Sequence, residues 1–235
     1  MALPLSRRAA LFALGSTVLL GSCTIASDGK NTPNSASASE GALKTVTPGK
    51  LTIATGEPAY SPWVENNDPA SGKGFEAAVA YAVAGKLGFA NADVVWVRST
   101  FDAAVAPGAK DWDFNLQQFS ITEERRNAVD FSSPYYTTAQ AVVTLKGSPV
   151  SGATTVAELK GALLGAQTGT TSHRMLTETV APTTAPSVFN NSQDTVQALK
   201  GGQVDAIVVD LPTALYLVAA ELDGGVVVGQ FADTS

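Results

Sequence analysis

Apolar and polar positions from about residue 50 onward switch between two periods, and glycine or proline marks most of the changes. LTIAT (51–55), VVWV (94–97), ALLGAQ (162–167), VDAIVV (204–209) and VVV (226–228) are short apolar runs, mostly β-branched and bounded by turn residues. Such runs read as buried strands, and 113–118 reads as a further one. Between them the spacing turns helical. In FEAAVAYAVAGKLGF (75–89), Phe75, Ala78, Val79, Ala82, Val83 and Leu87 fall on one helical face and Gly88 is a stop. A short helix is predicted from Phe101 to Val105, closed by Pro107-Gly108. Thr155 with Glu158 forms a capping box for VAELK, which Gly161 ends. Residues 192–200 form a helix stopped by Gly201-Gly202, and 211–222 are helical again. Alternating strand and helix with short connectors predicts an α/β fold with parallel-dominated sheets covered on both faces. Two such blocks joined by the extended AQAVVTLKG (139–147) predict two lobes, with a cleft between them and no internal repeat.

Composition narrows the chemistry. The chain has 235 residues, 45% of them hydrophobic and 15% charged. Charged residues usually make up about 25%, so the surface leans on Ser, Thr, Asn, Gln and Ala. The net charge is −6, with no basic run after the first ten residues, and nucleic acid is not an expected partner. One cysteine, Cys23, and one histidine, His173, rule out an intramolecular disulfide and a zinc site of the usual His/Cys kind. No metal or cofactor is expected.

The first 22 residues read as an export signal. Arg7 and Arg8 precede an apolar run from Ala9 to Leu20, which is too short to span a bilayer as a helix. Leu20-Gly21-Ser22-Cys23 resembles the lipobox of bacterial lipoproteins, which implies lipidation of Cys23 as the new N-terminus; the other reading is a free thiol near a disordered N-terminus. Ser6-Arg7-Arg8 resembles a twin-arginine signal as much as a plain secretion signal with two arginines. Residues 23–48, rich in Ser, Ala, Asn, Thr and Gly, lack the apolar surface to fold and read as a flexible tether. The expected lobes are 49–142 and 143–235.

SITEERRNAVDFSSPYY (120–136) sets two arginines just before an aromatic, apolar segment. Either both arginines are solvated or one points inward at a negative charge. With AYSPW (59–63), GFEAAVA (74–80), ELKGALLGAQTGTTS (158–172) and GGQVDAIVVD (201–210), this segment resembles the extracellular solute-binding proteins of ABC importers, in the branch that binds polar amino acids. The resemblance runs from about Gly49 to Gln230. It implies a two-lobe, periplasmic-binding-protein-like fold of type II that closes on its ligand by a hinge.

The resemblance also assigns roles. Arg125 grips the ligand α-carboxylate, since a guanidinium offers paired donors in a cleft that excludes water, and Arg126 is solvated. Ser120 supplies a hydroxyl and a backbone donor. Thr170 and Thr171, after Gly169, complete the carboxylate cradle from the second lobe. Asp210 pairs with the α-ammonium; as a strand-end aspartate its other reading is a cap for PTALYL. Tyr60 is a wall over the ligand side chain and Trp63 a second aromatic, with ordinary core as the alternative for each. Gln117 and Gln118 stand where some relatives carry small residues, and bring amides to the side-chain pocket. Glu57 stands where an acid in some relatives meets a cationic ligand side chain, and a polar neutral ligand is equally allowed. In GFEAAVA the family's second acid is replaced by alanine.

The implied function is a lipid-anchored substrate-binding subunit of an amino-acid ABC importer. It is a monomer on the outer face of the cell membrane, with the amino acid and the transmembrane permease as partners and no catalytic residue. A ligand-sensing adaptor of the same fold and a dehydratase-like enzyme are the alternatives. Relatives continue well beyond the point matching Gln230, so a C-terminally truncated form is expected, with an uncovered apolar patch on residues 49–142.

Overall fold

The structure is a computed structural model that describes residues 43–232. The signal segment, Cys23 and the tether up to residue 42 lie outside the described residues. The fold is built on two sheets. The first contains β1 (Leu51–Gly56), β2 (Val94–Ser99) and β3 (Phe114–Asn115), all parallel, in the order β2-β1-β3. All six residues of β1 are buried, as a strand flanked on both edges and packed on its faces requires. The strand expected over 113–118 pairs over only two residues, Phe114 and Asn115.

α1 (Phe75–Lys86) covers this sheet, but not with the face its larger side chains define. Its buried residues are Glu76, Ala77, Ala80 and Ala84, and Ala80 and Ala84 join Leu51, Ile53 and Leu116 in one cluster. Phe75, Val83 and Leu87, expected to pack inward, are 38%, 37% and 45% exposed. Gly74 precedes α1 at φ +99°, and a β-carbon there would stand 2.4 Å from the Trp63 carbonyl oxygen, so the entry requires glycine.

The second sheet has the order β6-β5-β7-β4-β8, formed by β4 (Gln140–Leu145), β5 (Leu164–Gln167), β6 (Ser187–Phe189), β7 (Ala206–Asp210) and β8 (Gly225–Gln230). β5 runs parallel to β6 and β7, whereas β4 is antiparallel to β7 and β8. AQAVVTLKG is therefore an inner strand of the second sheet and not a link between sheets. Residues 140–142, expected in the first lobe, belong to the second sheet, because their ladder partners are Asp210, Val209 and Val208. Successive side chains point to opposite faces. Val142, Ala206 and Val208 enter one core with Leu159, Leu164, Leu176 and Val180. Ala141, Val143 and Ile207 enter the other with Val196, Leu199, Ala214 and Leu217.

The helices of this lobe are α4 (Thr171–Arg174), α5 (Ser192–Lys200) and α6 (Leu211–Tyr216). α4 and α6 each loosen into a π turn, over Met175–Val180 and Leu217–Glu221. The segment Val156–Leu159 is a single 3-10 turn, held by the expected capping box of Thr155 and Glu158. In the first lobe, α2 (Phe101–Val105) follows β2, and α3 (Glu123–Arg126) carries the two arginines.

Candidate functional site

A cleft of about 80 Å³ opens between the two sheets. The ends of β1 and β7, the loop after Leu116 and the starts of α4 and α5 line it. Arg125 enters from the first lobe. Thr122 caps α3 by accepting from the Arg125 N–H, which turns the guanidinium inward until Arg125 is 9% exposed. Nη1 donates to the Ser120 carbonyl oxygen at 2.7 Å and Nη2 to the Gly169 carbonyl oxygen of the second lobe at 2.9 Å. The guanidinium carbon also lies 5.1 Å from the centre of the Phe101 ring, a cation–π arrangement. Burial pushes the Arg125 pKa down, as does the nearby Arg174, but an arginine stays charged. Arg126 points away, its side chain 51% exposed and 3.7 Å from Glu123. The two adjacent arginines thus have opposite environments.

Gly169 brings the lobes together. Its φ is +68°, and a β-carbon there would meet Asp102 Oδ1 of the first lobe at 2.6 Å. Just beyond it, Thr170 uses its hydroxyl within its own lobe. Oγ1 donates to the Gln167 carbonyl oxygen and accepts from His173 N–H, as the N-cap of α4. Thr171 instead faces the first lobe, its hydroxyl 3.1 Å from the Ser120 hydroxyl.

Asp210 ends β7 at the opposite wall. It stands at the N-cap of α6, yet its side chain makes no capping bond. Oδ1 accepts instead from Gln140 Nε2 at 2.5 Å. Burial pushes its carboxyl up to about 6, against the pull of the Gln140 donor and of Arg125. The cleft therefore holds one buried guanidinium and one partly buried carboxyl.

The remaining expected residues divide. Glu57 is exposed and lines the cleft. Tyr60 lines it too, packs edge-on against Tyr216 at 6.4 Å and donates its hydroxyl to Glu221 of the second lobe. Burial and the Glu221 acceptor raise the Tyr60 pKa. Gln117 lines the cleft, and its amide oxygen is buried without a hydrogen-bond partner among the described residues. Gln118 borders the cleft with φ +51°, but its amide turns away to Glu76. Trp63 lies outside the cleft lining. It is 4% exposed, packs edge-on against Phe75 and Tyr136 and donates its indole N–H to Thr213 at 2.8 Å. Trp63 packs as core here, the alternative reading of that residue, and reaches the cleft lining through Thr213.

Three further contributions were not anticipated. Glu76, 1% exposed, accepts from Gln118 N–H at 2.8 Å, from the Gln118 amide and from the Tyr135 hydroxyl at 2.5 Å. It thereby holds the left-handed turn that leads to Ser120. Burial raises its pKa, while these donors pull the other way. The first turn of α5 borders the cleft through Asn191, Ser192 and Thr195, and Asn191 caps that helix by accepting from Asp194 N–H at 2.8 Å. The sequence signal was NNSQD, a polar cap ahead of a helical run. The third is Gln140, the polar residue that opens β4 ahead of Ala141, Val142 and Val143. Among the described residues, no group of His, Cys, Asp and Glu side chains is placed to hold a metal ion.

The family profile of bacterial extracellular solute-binding proteins, family 3, matches residues 51–199. The chain is 31% identical over 210 residues to a probable histidine-binding protein of Campylobacter jejuni, covering 83% of this chain and 76% of that one. It is 28% identical over 156 residues to an L-arginine-binding protein of Pseudomonas aeruginosa, covering 66% of this chain and 58% of that relative. This second match thus spans less than two thirds of the relative's length. An ancestral arginine-binding protein solved with arginine superposes with a TM-score of 0.65 at 33% identity, covering 78% of this chain and 80% of that one. The fold is that of the type II periplasmic binding proteins. On the match to the family profile and on these relatives, the chain belongs to the bacterial extracellular solute-binding proteins, family 3.

Proposed function

We propose that this chain is the substrate-binding subunit of an amino-acid ABC importer and captures a polar or charged amino acid between its two lobes. The observation that carries this reading is the pairing, in one cleft, of a buried guanidinium from one lobe with a partly buried carboxyl from the other. Free amino acids carry the complementary pair, a carboxylate and an ammonium. In the low-dielectric cleft each ligand charge meets its opposite, and an unpaired one would be costly to bury. Arg125 receives the ligand carboxylate, with Ser120 and Thr171 beside it, and Asp210 receives the ammonium. The ligand side chain extends toward Gln117, Tyr60 and Glu57. A buried acceptor such as the Gln117 amide oxygen favours a side chain that donates hydrogen bonds, and the relatives' names, histidine-binding and arginine-binding, agree with that chemistry. The protein performs no chemistry on its ligand. It is exported as a monomer and held on the outer face of the membrane through lipidated Cys23, where it delivers ligand to a permease.

Thermal-shift measurement against the common amino acids tests the binding role. A true ligand at about 100 times its dissociation constant adds about 2.7 kcal/mol of stability. N-acetylation of that ligand removes the ammonium and should abolish the shift. A derivative that binds as well as the free amino acid would refute Asp210 as its partner. Anchorage is tested separately: the mature protein should enter the detergent phase and Cys23→Ser should not, while an unmodified N-terminus other than Cys23 would refute it.

A further inference from the structure

Two buried strands of the second sheet end in polar residues at the cleft. β4 begins with Gln140, β7 ends with Asp210, and the antiparallel register sets them directly opposite. Residues paired in this way project to the same face of the sheet. Gln140 is 2% exposed, and the next three residues of β4 are buried and apolar. A primary amide is unfavourable in such a place unless it is hydrogen-bonded. Gln140 Nε2 donates to Asp210 Oδ1 at 2.5 Å, and its Oε1 accepts from the Ser172 hydroxyl. Ser172 lies in the first turn of α4, next to Thr170 and Thr171. One side chain thus touches both the carboxylate that takes the ligand ammonium and the turn that faces the ligand carboxylate.

We infer that Gln140 is a positioning residue of the ligand site, whose side-chain amide fixes Asp210 and the turn at residues 170–172 against one another. The inference rests on the reading of Asp210 as the partner of the ligand ammonium. The donor end of the amide also favours the ionised carboxylate, the form an ammonium requires. The other groups that face Asp210 come from the first lobe. Arg125 on α3 favours the charge, whereas Glu76 on α1 and Tyr135 after α3 interact with it unfavourably when ionised. On α4 the titratable neighbours of Ser172 are His173 and Arg174. Within the second sheet, Gln140 supplies the cross-strand donor to the carboxylate. A leucine or methionine would serve the packing of β4 as well, so a purely structural role does not account for an amide there.

The test is calorimetric titration of the mature chain with L-arginine and with L-glutamine, whose side chains do not titrate between about pH 4.5 and pH 8. Gln140→Met removes the hydrogen bonds to Asp210 and Ser172 at nearly constant volume. It should weaken binding at neutral pH by about tenfold to a hundredfold and move the pH midpoint of affinity upward. Gln140→Glu keeps an acceptor for Ser172 but sets a second carboxyl against Asp210, and should move the midpoint further up. Ser172→Ala should cost about twofold to tenfold in affinity and leave the midpoint in place. Melting curves show whether each variant folds; if Gln140→Met does not, Gln140→Glu and Ser172→Ala carry the test. Wild-type affinity with an unmoved midpoint in any folded Gln140 variant overturns the inference alone. If the unmodified chain binds none of the common amino acids, these two included, the amino-acid reading fails and the inference falls with it, so the two failures are told apart.

Discussion

The second lobe buries hydrophobic clusters on both faces of a five-stranded sheet, while the first lobe has three strands and one smaller cluster on them. Beside β3, a cavity of about 1150 Å³ is lined by Phe114, Leu116, Phe119, Phe131 and both Tyr135 and Tyr136. Phe75, Leu87 and Tyr136 expose 38%, 45% and 46% of their surface. Large apolar side chains exposed in number near one another mark a surface that another element or partner can cover. Yet the first lobe carries Arg125, the most demanding side chain of the site, and it holds that side chain through local means: a capped helix turn, the Ser120 carbonyl and the Phe101 ring. The second lobe holds Asp210 through a sheet register. One half of the site therefore depends on a loop and a short helix, the other on a packed core.

The largest effect expected from that contrast is at the guanidinium. Arg125→Ala should weaken amino-acid binding by about a hundredfold to several thousandfold, as loss of one partner of a buried charge pair costs about 3–5 kcal/mol. Arg126→Ala should leave affinity nearly unchanged, since its side chain is in solvent. Titration calorimetry on both variants decides it, and equal losses would remove Arg125 from the site.

Core truncation comes next. Leu176→Ala, at a fully buried position of the second lobe, should lower unfolding stability by about 2–5 kcal/mol. Val83→Ala on the exposed face of α1 should change it by no more than about 0.5 kcal/mol. Denaturant titration that found the two alike would show that the α1 face is covered in solution. Binding of a hydrophobic dye that falls on substitution of Phe75 and Leu87 by serine would locate the exposed surface independently.

A smaller effect follows from pH. Burial raises the Asp210 carboxyl to about 6 in the ligand-free protein, so below that value it holds a proton that must leave before an ammonium can pair with it. Affinity should rise with pH, level off above about 6 and fall by about tenfold per pH unit below it. A flat profile down to pH 5, measured with a ligand that does not titrate there, would mean that Asp210 does not meet the ammonium.

Much of this was legible along the chain. The strands at 51–55, 94–97, 204–209 and 226–228, the helix at 192–200 and the capping box at Thr155 were read from periodicity and turn residues, signals that act over a few neighbours. Trp63 and α1 were not. A tryptophan between prolines and polar residues fits a ligand wall or a core equally well, and its placement was settled by Thr213, 150 residues away. For α1, side-chain size favoured the wrong face: Ala80 and Ala84 are the positions that pack with Leu51 and Ile53.

By itself, the sequence determined the alternation of strand and helix, the exclusion of an intramolecular disulfide, and the motif whose resemblance separated Arg125 from Arg126. These follow from local spacing and composition, which long-range packing does not alter. Only the tertiary structure decided that Gln140 opposes Asp210, that Glu76 holds the turn before Ser120, and that Gly169 meets Asp102 across the cleft. Each of these pairs residues more than 40 positions apart. Strand register, helix packing and lobe approach bring them together, and no local pattern of hydrophobic and polar residues encodes those distances.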